Sequence, residues 1–143
     1  MKIAFSTKNV SRATFLDTCR YAYDYGFEGF EIYDAIKERT AHYDSILRRD
    51  YLADSKRKLI NRNLSIPALR MPDFIESDNV TSEIVEKYVD MASSAGVPYV
   101  IVSVIKEVGF DVLDKKLSSA INKAEKLDVS ILFETKGYLS NTE

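Results

Sequence analysis

Short apolar runs and amphipathic stretches alternate along the whole chain. Apolar residues recur every three or four positions in four stretches, which predicts helices separated by buried strands. The order β-α-β-α-β-α-β-α-β predicts an α/β fold with a parallel sheet. The predicted strands are Ile3–Phe5, Gly29–Tyr33, Leu64–Leu69, Tyr99–Val104 and Val129–Phe133.

The helical stretches differ in how clearly they begin and end. The first is predicted from Ser11 or Thr14, with Gly26 as a left-handed C-terminal residue, and the second from Tyr51 to Arg62. Asp111 is predicted to cap the fourth. The third has the clearest periodicity and ends at Gly96. Its predicted apolar stripe is Val80, Ile84, Tyr88, Met91, Ala92 and Ala95. Residues 34–50 lack periodicity and predict a long loop.

Two architectures share this order of elements. One is a five-stranded doubly wound sheet, and the other is the first half of an eight-stranded (β/α)8 barrel, about (βα)4β5. A complete barrel needs about 200 residues or more, so the 143 residues are expected to form a single domain, 1–143, that is the N-terminal half of one. Ser140 and Glu143 form a capping-box pattern without a following helix, which favours the half barrel.

Composition and charge limit the possible partners. Twenty basic residues stand against 22 acidic ones, which gives a net charge of -2, and a nucleic-acid partner is therefore not expected. No apolar run is long enough for a membrane span or a signal peptide. The single cysteine, Cys19, lies among apolar residues and is expected to be a buried thiol. These observations predict a cytoplasmic protein without a membrane partner.

Candidate chemistry lies at the predicted strand ends. Glycine-rich phosphate-binding motifs are absent, and His42 is the only histidine. In a parallel sheet, the residues near the strand carboxyl ends gather at one rim, where carboxylates and cations could bind a divalent metal or a polar substrate such as a sugar. These residues are Thr7, Glu31, Asp34, Arg70, Ser103, Lys106, Glu134 and Lys136.

The two glutamates of this set carry different expectations. Glu31 stands between apolar neighbours inside a predicted strand, so it must be paired or have a raised pKa. A structural ion pair with Arg70 or Lys106 explains it as well as a catalytic role does. Glu134 has the stronger functional case because Lys136 and Gly137 lead the chain from the strand into an open turn, although an ordinary rim carboxylate remains the alternative.

Four segments carry a resemblance to a known family: Met1–Thr7, Gly26–Ile32, Ala95–Val100 and Ile131–Gly137. In this order, they resemble the xylose isomerase-like TIM-barrel superfamily of sugar and sugar-phosphate isomerases and epimerases. The resemblance implies that Glu134 binds a divalent metal (Mn, Mg or Zn) and helps to move a proton on a sugar carbon. Together with the positions of the rim residues, the resemblance makes Glu134 and Glu31 the catalytic candidates. Arg70, Lys106 and Lys136 become the substrate-binding candidates.

The chain also departs from this family. Arg70 stands, in Arg70-Met71-Pro72, where members with an endonuclease-like metal site have a histidine. The remaining metal ligands of the family lie on strands six to eight. The leading hypothesis is therefore an incomplete sugar isomerase or epimerase, and the alternative is a non-catalytic half-barrel module for binding or assembly. The free edges of the first and fifth strands predict a homodimer or completion by another half barrel. The endonuclease branch is the least favoured.

Overall fold

The computed structural model describes residues 3–10, 13–35, 49–106 and 108–135. Within these ranges, five strands and four α-helices alternate, and a short 3-10 helix (Thr7–Val10) follows the first strand. The strands are β1 (Ala4–Ser6), β2 (Gly29–Tyr33), β3 (Ala68–Phe74), β4 (Tyr99–Val104) and β5 (Ser130–Thr135). The helices are α1 (Phe15–Asp24), α2 (Arg49–Ile60), α3 (Ser82–Ala95) and α4 (Phe110–Lys126).

The strands form one parallel sheet in the sequential order β1-β2-β3-β4-β5. A doubly wound sheet reverses its strand order at a switch point, whereas a (β/α)8 barrel places each strand beside the next one in the chain. Consecutive helices then lie on the same side of the sheet. α3 and α4 are neighbours, and Lys123 Nζ of α4 lies 2.6 Å from Asp90 Oδ2 of α3. The predicted half-barrel architecture is confirmed.

The core lies between the sheet and the helices. Alternate residues of the strands are fully buried there, for example Phe30 and Ile32 in β2 and Val100 and Val102 in β4. The residues between them point to the opposite face of the sheet, which the described helices leave uncovered. This alternation gives the polar side chains of the strands a separate face.

The first helix begins and ends close to where the sequence predicts. Thr14 is its N-cap and forms a reciprocal capping box with Asp17. Gly26 follows the helix with a φ of 74°, a left-handed conformation that glycine adopts without strain. Cys19 is completely buried in this helix, as predicted, and burial raises the pKa of its thiol to about 11.

The third strand lies further along the chain than predicted. The expected strand Leu64–Leu69 is replaced by β3 at Ala68–Phe74, and Ser65 forms only an isolated bridge to Gly29. Pro67 has no amide hydrogen for a ladder, which explains why regular pairing begins after it. Pro72 is tolerated inside β3 because the pairing with β4 shifts between Arg70 and Phe74. Arg70 consequently lies inside the strand.

Two predicted helix features are corrected. Asp111 does not cap α4, because the helix already begins at Phe110 with Gly109 at the N-cap position and no side-chain hydrogen bond there. Asp111 lies in the first turn, where its negative charge still favours the helix dipole. In α3 the fully buried residues include Val85 and Val89, which the predicted stripe omits.

The other α3 predictions hold in part. Gly96 ends the helix in a left-handed conformation, as expected. Val80 is buried but precedes the helix.

Some predictions concern residues outside the described ranges. These are Lys136, His42 and the capping pattern of Ser140 and Glu143. None of the described helices is long and apolar enough to cross a membrane.

Candidate functional site

The polar residues of the uncovered sheet face surround a depression of about 770 Å³. All five strands contribute to its lining. The strand pairing places Ser6 beside Glu31 and Ser103 beside Glu134, while Arg70 lies on the strand between β2 and β4. Residues that are far apart in the sequence therefore come together at this face.

A three-residue ion cluster spans the depression. Arg70 Nε donates to Glu31 Oε1 at 2.8 Å, and Arg70 Nη1 donates to Glu134 Oε2 at 2.5 Å. Ser103 Oγ donates to the same Glu134 oxygen at 2.9 Å and lies 3.4 Å from Arg70 Nη1. The guanidinium thus bridges carboxylates on β2 and β5, two strands that do not pair with each other.

Burial differs between the two carboxylates. The side chain of Glu31 is 14% exposed and that of Arg70 is 19% exposed, whereas that of Glu134 is 37% exposed. Glu134 is therefore the carboxylate that a ligand in the depression reaches more easily. Glu31, the less exposed carboxylate, holds the guanidinium through Nε.

The charges in the cluster stabilise the guanidinium. Burial alone would lower the pKa of Arg70, but its hydrogen bonds and charge interactions with Glu31 and Glu134 raise that pKa above its ordinary value. Arg70 therefore keeps its positive charge, since arginine is not deprotonated in proteins under ordinary conditions. With both carboxylates ionised, one guanidinium faces two negative charges, so the cluster carries one net negative charge.

The predicted site residues separate into two groups. Glu31, Arg70 and Glu134 come together, and the ion pair between Glu31 and Arg70 is present. Lys106 does not join them. Its amide donates to Glu76 Oε1 at 2.5 Å, its side chain is exposed, and it is not among the described residues that line the depression. The role expected for Lys136 stays a prediction.

Lys8 and Tyr33 line the depression and are not among the site residues that the sequence predicts. Lys8 Nζ lies 5.2 Å from the ring centroid of Tyr33, in a cation-π arrangement at the edge of the depression. Tyr33 follows Glu31 by two positions, and this spacing indicates the same strand face. Lys8 belongs to the 3-10 helix, whose four residues are too short to show a periodic signal.

Thr7 has a structural position instead of a site position. Its side chain is buried, and its Oγ1 accepts a hydrogen bond from the Tyr33 amide at 2.9 Å. This bond connects the end of β1 to the end of β2. Thr7 therefore supports the wall of the depression without facing a ligand.

The cluster does not fit a divalent metal in its present arrangement. Within the described ranges, no group of three or more histidine, cysteine, aspartate or glutamate side chains could hold a metal ion. Arg70 also contacts one oxygen of each carboxylate that could serve as a ligand. The assignment of Glu134 as a metal ligand stays a prediction, and a metal would have to compete with the guanidinium.

Comparisons with known proteins agree on the fold. No protein-family model and no curated protein sequence matches the chain. Among solved structures, a xylose isomerase domain protein from Planctomyces limnophilus superposes with a TM-score of 0.66 at 14% identity, over 93% of this chain and 53% of its own. This chain has the fold of half a xylose isomerase-like barrel.

Two further structures give the same result for this half barrel. The IolI protein, solved with a bound zinc atom, has a TM-score of 0.69 and 17% identity over 96% of this chain and 52% of its own. The 3-keto-D-glucoside 4-epimerase YcjR from E. coli has a TM-score of 0.64 and 15% identity over 93% and 55%. The chain thus spans about half the length of its structural neighbours, and at these identities the likeness establishes the fold.

Proposed function

We propose that this half barrel carries the proton-transfer side of a sugar or sugar-phosphate isomerase or epimerase site. The observation that carries the proposal is the cluster in which Arg70 bridges Glu31 and Glu134 inside a depression at the sheet face. Structural neighbours include a xylose isomerase domain protein and an epimerase that acts on a keto-glucoside, which supports the same reaction class.

Glu134 is the proposed general base. Aldose-ketose interconversion and many epimerisations begin when a base removes the proton from the carbon beside a carbonyl group, and a positioned carboxylate can do this. Glu134 is the more exposed carboxylate of the cluster. Ser103 and Arg70 donate to one of its oxygens, which holds the carboxylate in one orientation towards the depression.

Arg70 is the proposed electrostatic partner of this base. Removal of the proton moves negative charge onto the carbonyl oxygen, and a fixed cation beside that oxygen stabilises the transition state. Glu31 holds the guanidinium through Nε and thus acts as a positioning residue. Binding of the distal part of the substrate by Lys106 and Lys136 remains part of the proposal.

The proposal predicts exchange of a carbon-bound sugar proton with solvent. The full chain is incubated in D2O with aldoses, ketoses and their phosphates, and deuterium incorporation beside the carbonyl is followed by NMR. We expect Glu134→Gln to reduce the exchange rate by about 100-fold or more, the usual contribution of a positioned acid-base group.

A matched control makes this result specific. Glu125→Gln changes the same kind of side chain at an exposed position of α4 and is expected to exchange at the wild-type rate. Unchanged exchange in the folded Glu134→Gln variant would contradict the role of Glu134. A wild-type protein that catalyses no exchange with any of these sugars would contradict the proposed function.

A non-catalytic half-barrel module that assembles with another half barrel is the second candidate. Within the described ranges, no strand pairs with the outer edge of β1 or β5, and such edges tend to recruit another strand. Leu132 and Phe133 of β5 are 42% and 45% exposed. We infer assembly with a second half barrel, either another copy of this chain or a different one. The cytoplasmic location, the absence of a nucleic-acid partner and the single domain 1–143 stay predictions.

A further inference from the structure

We propose that Arg70 is a built-in cation that takes the place of a divalent metal between Glu31 and Glu134, so the depression holds its ligand without a metal ion. The inference rests on the proposed function only for the identity of that ligand. The competition between the Arg70 guanidinium and a metal for the two carboxylates does not depend on the proposed function.

The geometry of the two ion pairs leaves little room for a second cation between Glu31 and Glu134. Arg70 uses two different nitrogens for the two carboxylates, at 2.8 Å to Glu31 and 2.5 Å to Glu134. A divalent metal shared by these carboxylates needs oxygens at about 2.0–2.6 Å. Arg70 already occupies one oxygen of each carboxylate, and its positive charge repels a second cation placed between them.

The partial burial of Arg70 also opposes its replacement by a metal. The Arg70 side chain is 19% exposed and is held from both sides, with Ser103 as a further neighbour. To admit a metal, the protein would have to move a partly buried guanidinium away from both of its partners. A partly buried charge that loses both partners lowers the stability of the folded protein. The native arrangement therefore opposes metal binding.

The unused donors of Arg70 indicate how a ligand is bound. A guanidinium has five N–H donors. Nε donates to Glu31 and Nη1 donates to Glu134 and Ser103, while no described residue accepts from Nη2. The two Nη2 donors suit oxygens of a polyhydroxy ligand in the depression. Because two carboxylates flank the guanidinium, the part of the ligand that suits this point is the neutral carbonyl and hydroxyl portion of a sugar, and not a phosphate.

A metal titration tests the inference directly. Mn²⁺ binding to the full chain is measured without any sugar, by electron paramagnetic resonance and by calorimetry. We expect the wild-type protein to bind no more Mn²⁺ than the Glu134→Gln variant does. Arg70→Ser and Arg70→His should bind Mn²⁺ about tenfold or more tightly than wild type, because both free the two carboxylates and histidine adds a nitrogen ligand.

The control is the same substitution at an exposed arginine. The Arg57 side chain is 74% exposed and pairs only with Asp54 among the described contacts, so Arg57→Ser should leave Mn²⁺ binding unchanged. Tight Mn²⁺ binding by the wild type that disappears in Glu134→Gln would overturn the inference, whether or not the Arg70 variants fold. Folded Arg70 variants that gain no Mn²⁺ affinity would also overturn it.

The deuterium-exchange assay separates this inference from the proposed function. Metal independence predicts the same exchange rate with and without EDTA. Exchange that EDTA abolishes and Mn²⁺ restores would overturn the built-in cation and leave the proposed function standing. If no sugar exchanges under any condition, the proposed function fails, and the Mn²⁺ titration still decides the role of Arg70.

Discussion

Among the single residues, Glu76 shows how one carboxylate can hold a loop beside the candidate site. Its Oε1 accepts hydrogen bonds from the amides of Ile105 and Lys106, at 2.7 and 2.5 Å. Partial burial alone would raise the pKa of Glu76, but these amides and its own backbone amide lower it. Glu76 therefore fixes the backbone directly after β4.

Removal of this carboxylate should destabilise the protein in a pH-dependent way. Folding lowers the pKa of Glu76. Its contribution to the free energy of unfolding is therefore complete above the ordinary glutamate pKa, and it is lost as the pH falls through the folded-state pKa. We expect Glu76→Ala to lower the free energy of unfolding by about 1 kcal/mol at neutral pH. Urea unfolding at neutral and acidic pH measures the difference, which should shrink in acid.

Glu125→Ala is the control for this measurement. It removes an exposed carboxylate from α4, and its effect on the free energy of unfolding should be small at both pH values. A Glu76→Ala variant whose loss of stability grows in acid would contradict the sign of the pKa shift.

Among the elements, β2 and the segment before β3 show where local pattern is sufficient and where it is not. Gly29–Tyr33 is the strand that the sequence predicts, because its apolar residues and the preceding Gly26 are local signals. β3 starts only at Ala68, after Pro67, and the Ser65 backbone before it lies so close to Gly29 that an added Cβ would be 2.3 Å from the Ser65 carbonyl oxygen. That contact lies between distant parts of the chain, so local pattern could not reveal it.

The close approach predicts that Gly29 tolerates no side chain. A Cβ at Gly29 would overlap the carbonyl oxygen of Ser65, which belongs to the backbone and cannot rotate away. We expect Gly29→Ala to lower the free energy of unfolding by about 1–3 kcal/mol, the usual effect of overpacking. Thermal and urea unfolding measure this loss.

Gly109 provides the matched glycine. It lies before α4 with a φ of -59°, and a Cβ there would have no neighbour within 4 Å. Gly109→Ala should therefore change the stability little. Equal effects of the two substitutions would show that backbone freedom, and not the contact with Ser65, determines the role of Gly29.

For the whole molecule, the sequential strand order determines which surfaces stay open. An apolar groove on the helix side of β5 includes Phe133, together with Phe110 and Leu117 of α4. Phe110 is 80% exposed and Phe133 is 45% exposed. In a complete barrel, the next strand and helix would cover the corresponding surface, so this groove and the outer edge of β5 form the proposed contact with a second half barrel.

This proposal predicts concentration-dependent association that depends on Phe133. Light scattering coupled to size-exclusion chromatography should show a species larger than a monomer, and Phe133→Lys should shift it towards the monomer because a charge at the contact loses its hydration. Tyr23→Lys changes an aromatic residue of α1 that is 64% exposed and should leave association unchanged. A wild-type chain that is monomeric at every concentration, alone and with candidate partner half barrels, would contradict the proposal.

The sequence by itself determined the kind and order of the elements, and the burial of Cys19. Hydrophobic periodicity, caps and breakers act over a few residues, so these features can be read from neighbouring positions. It also indicated that Glu31 needs a partner, because a carboxylate between two apolar strand residues cannot stay buried alone. Arg70 was one of the two partners considered.

Only the tertiary structure decided which residues meet. The strand order excludes the doubly wound alternative, and the later start of β3 puts Arg70 inside the sheet, between β2 and β4. Arg70 and Glu134 are 64 positions apart in the chain, and their contact follows from strand pairing. Lys106 also lies close to a strand end, but its side chain is exposed and is not among the described residues that line the depression. Periodicity specifies which residues of a strand share a face. The register between strands depends on long-range packing, and this register brings Glu31, Arg70 and Glu134 together.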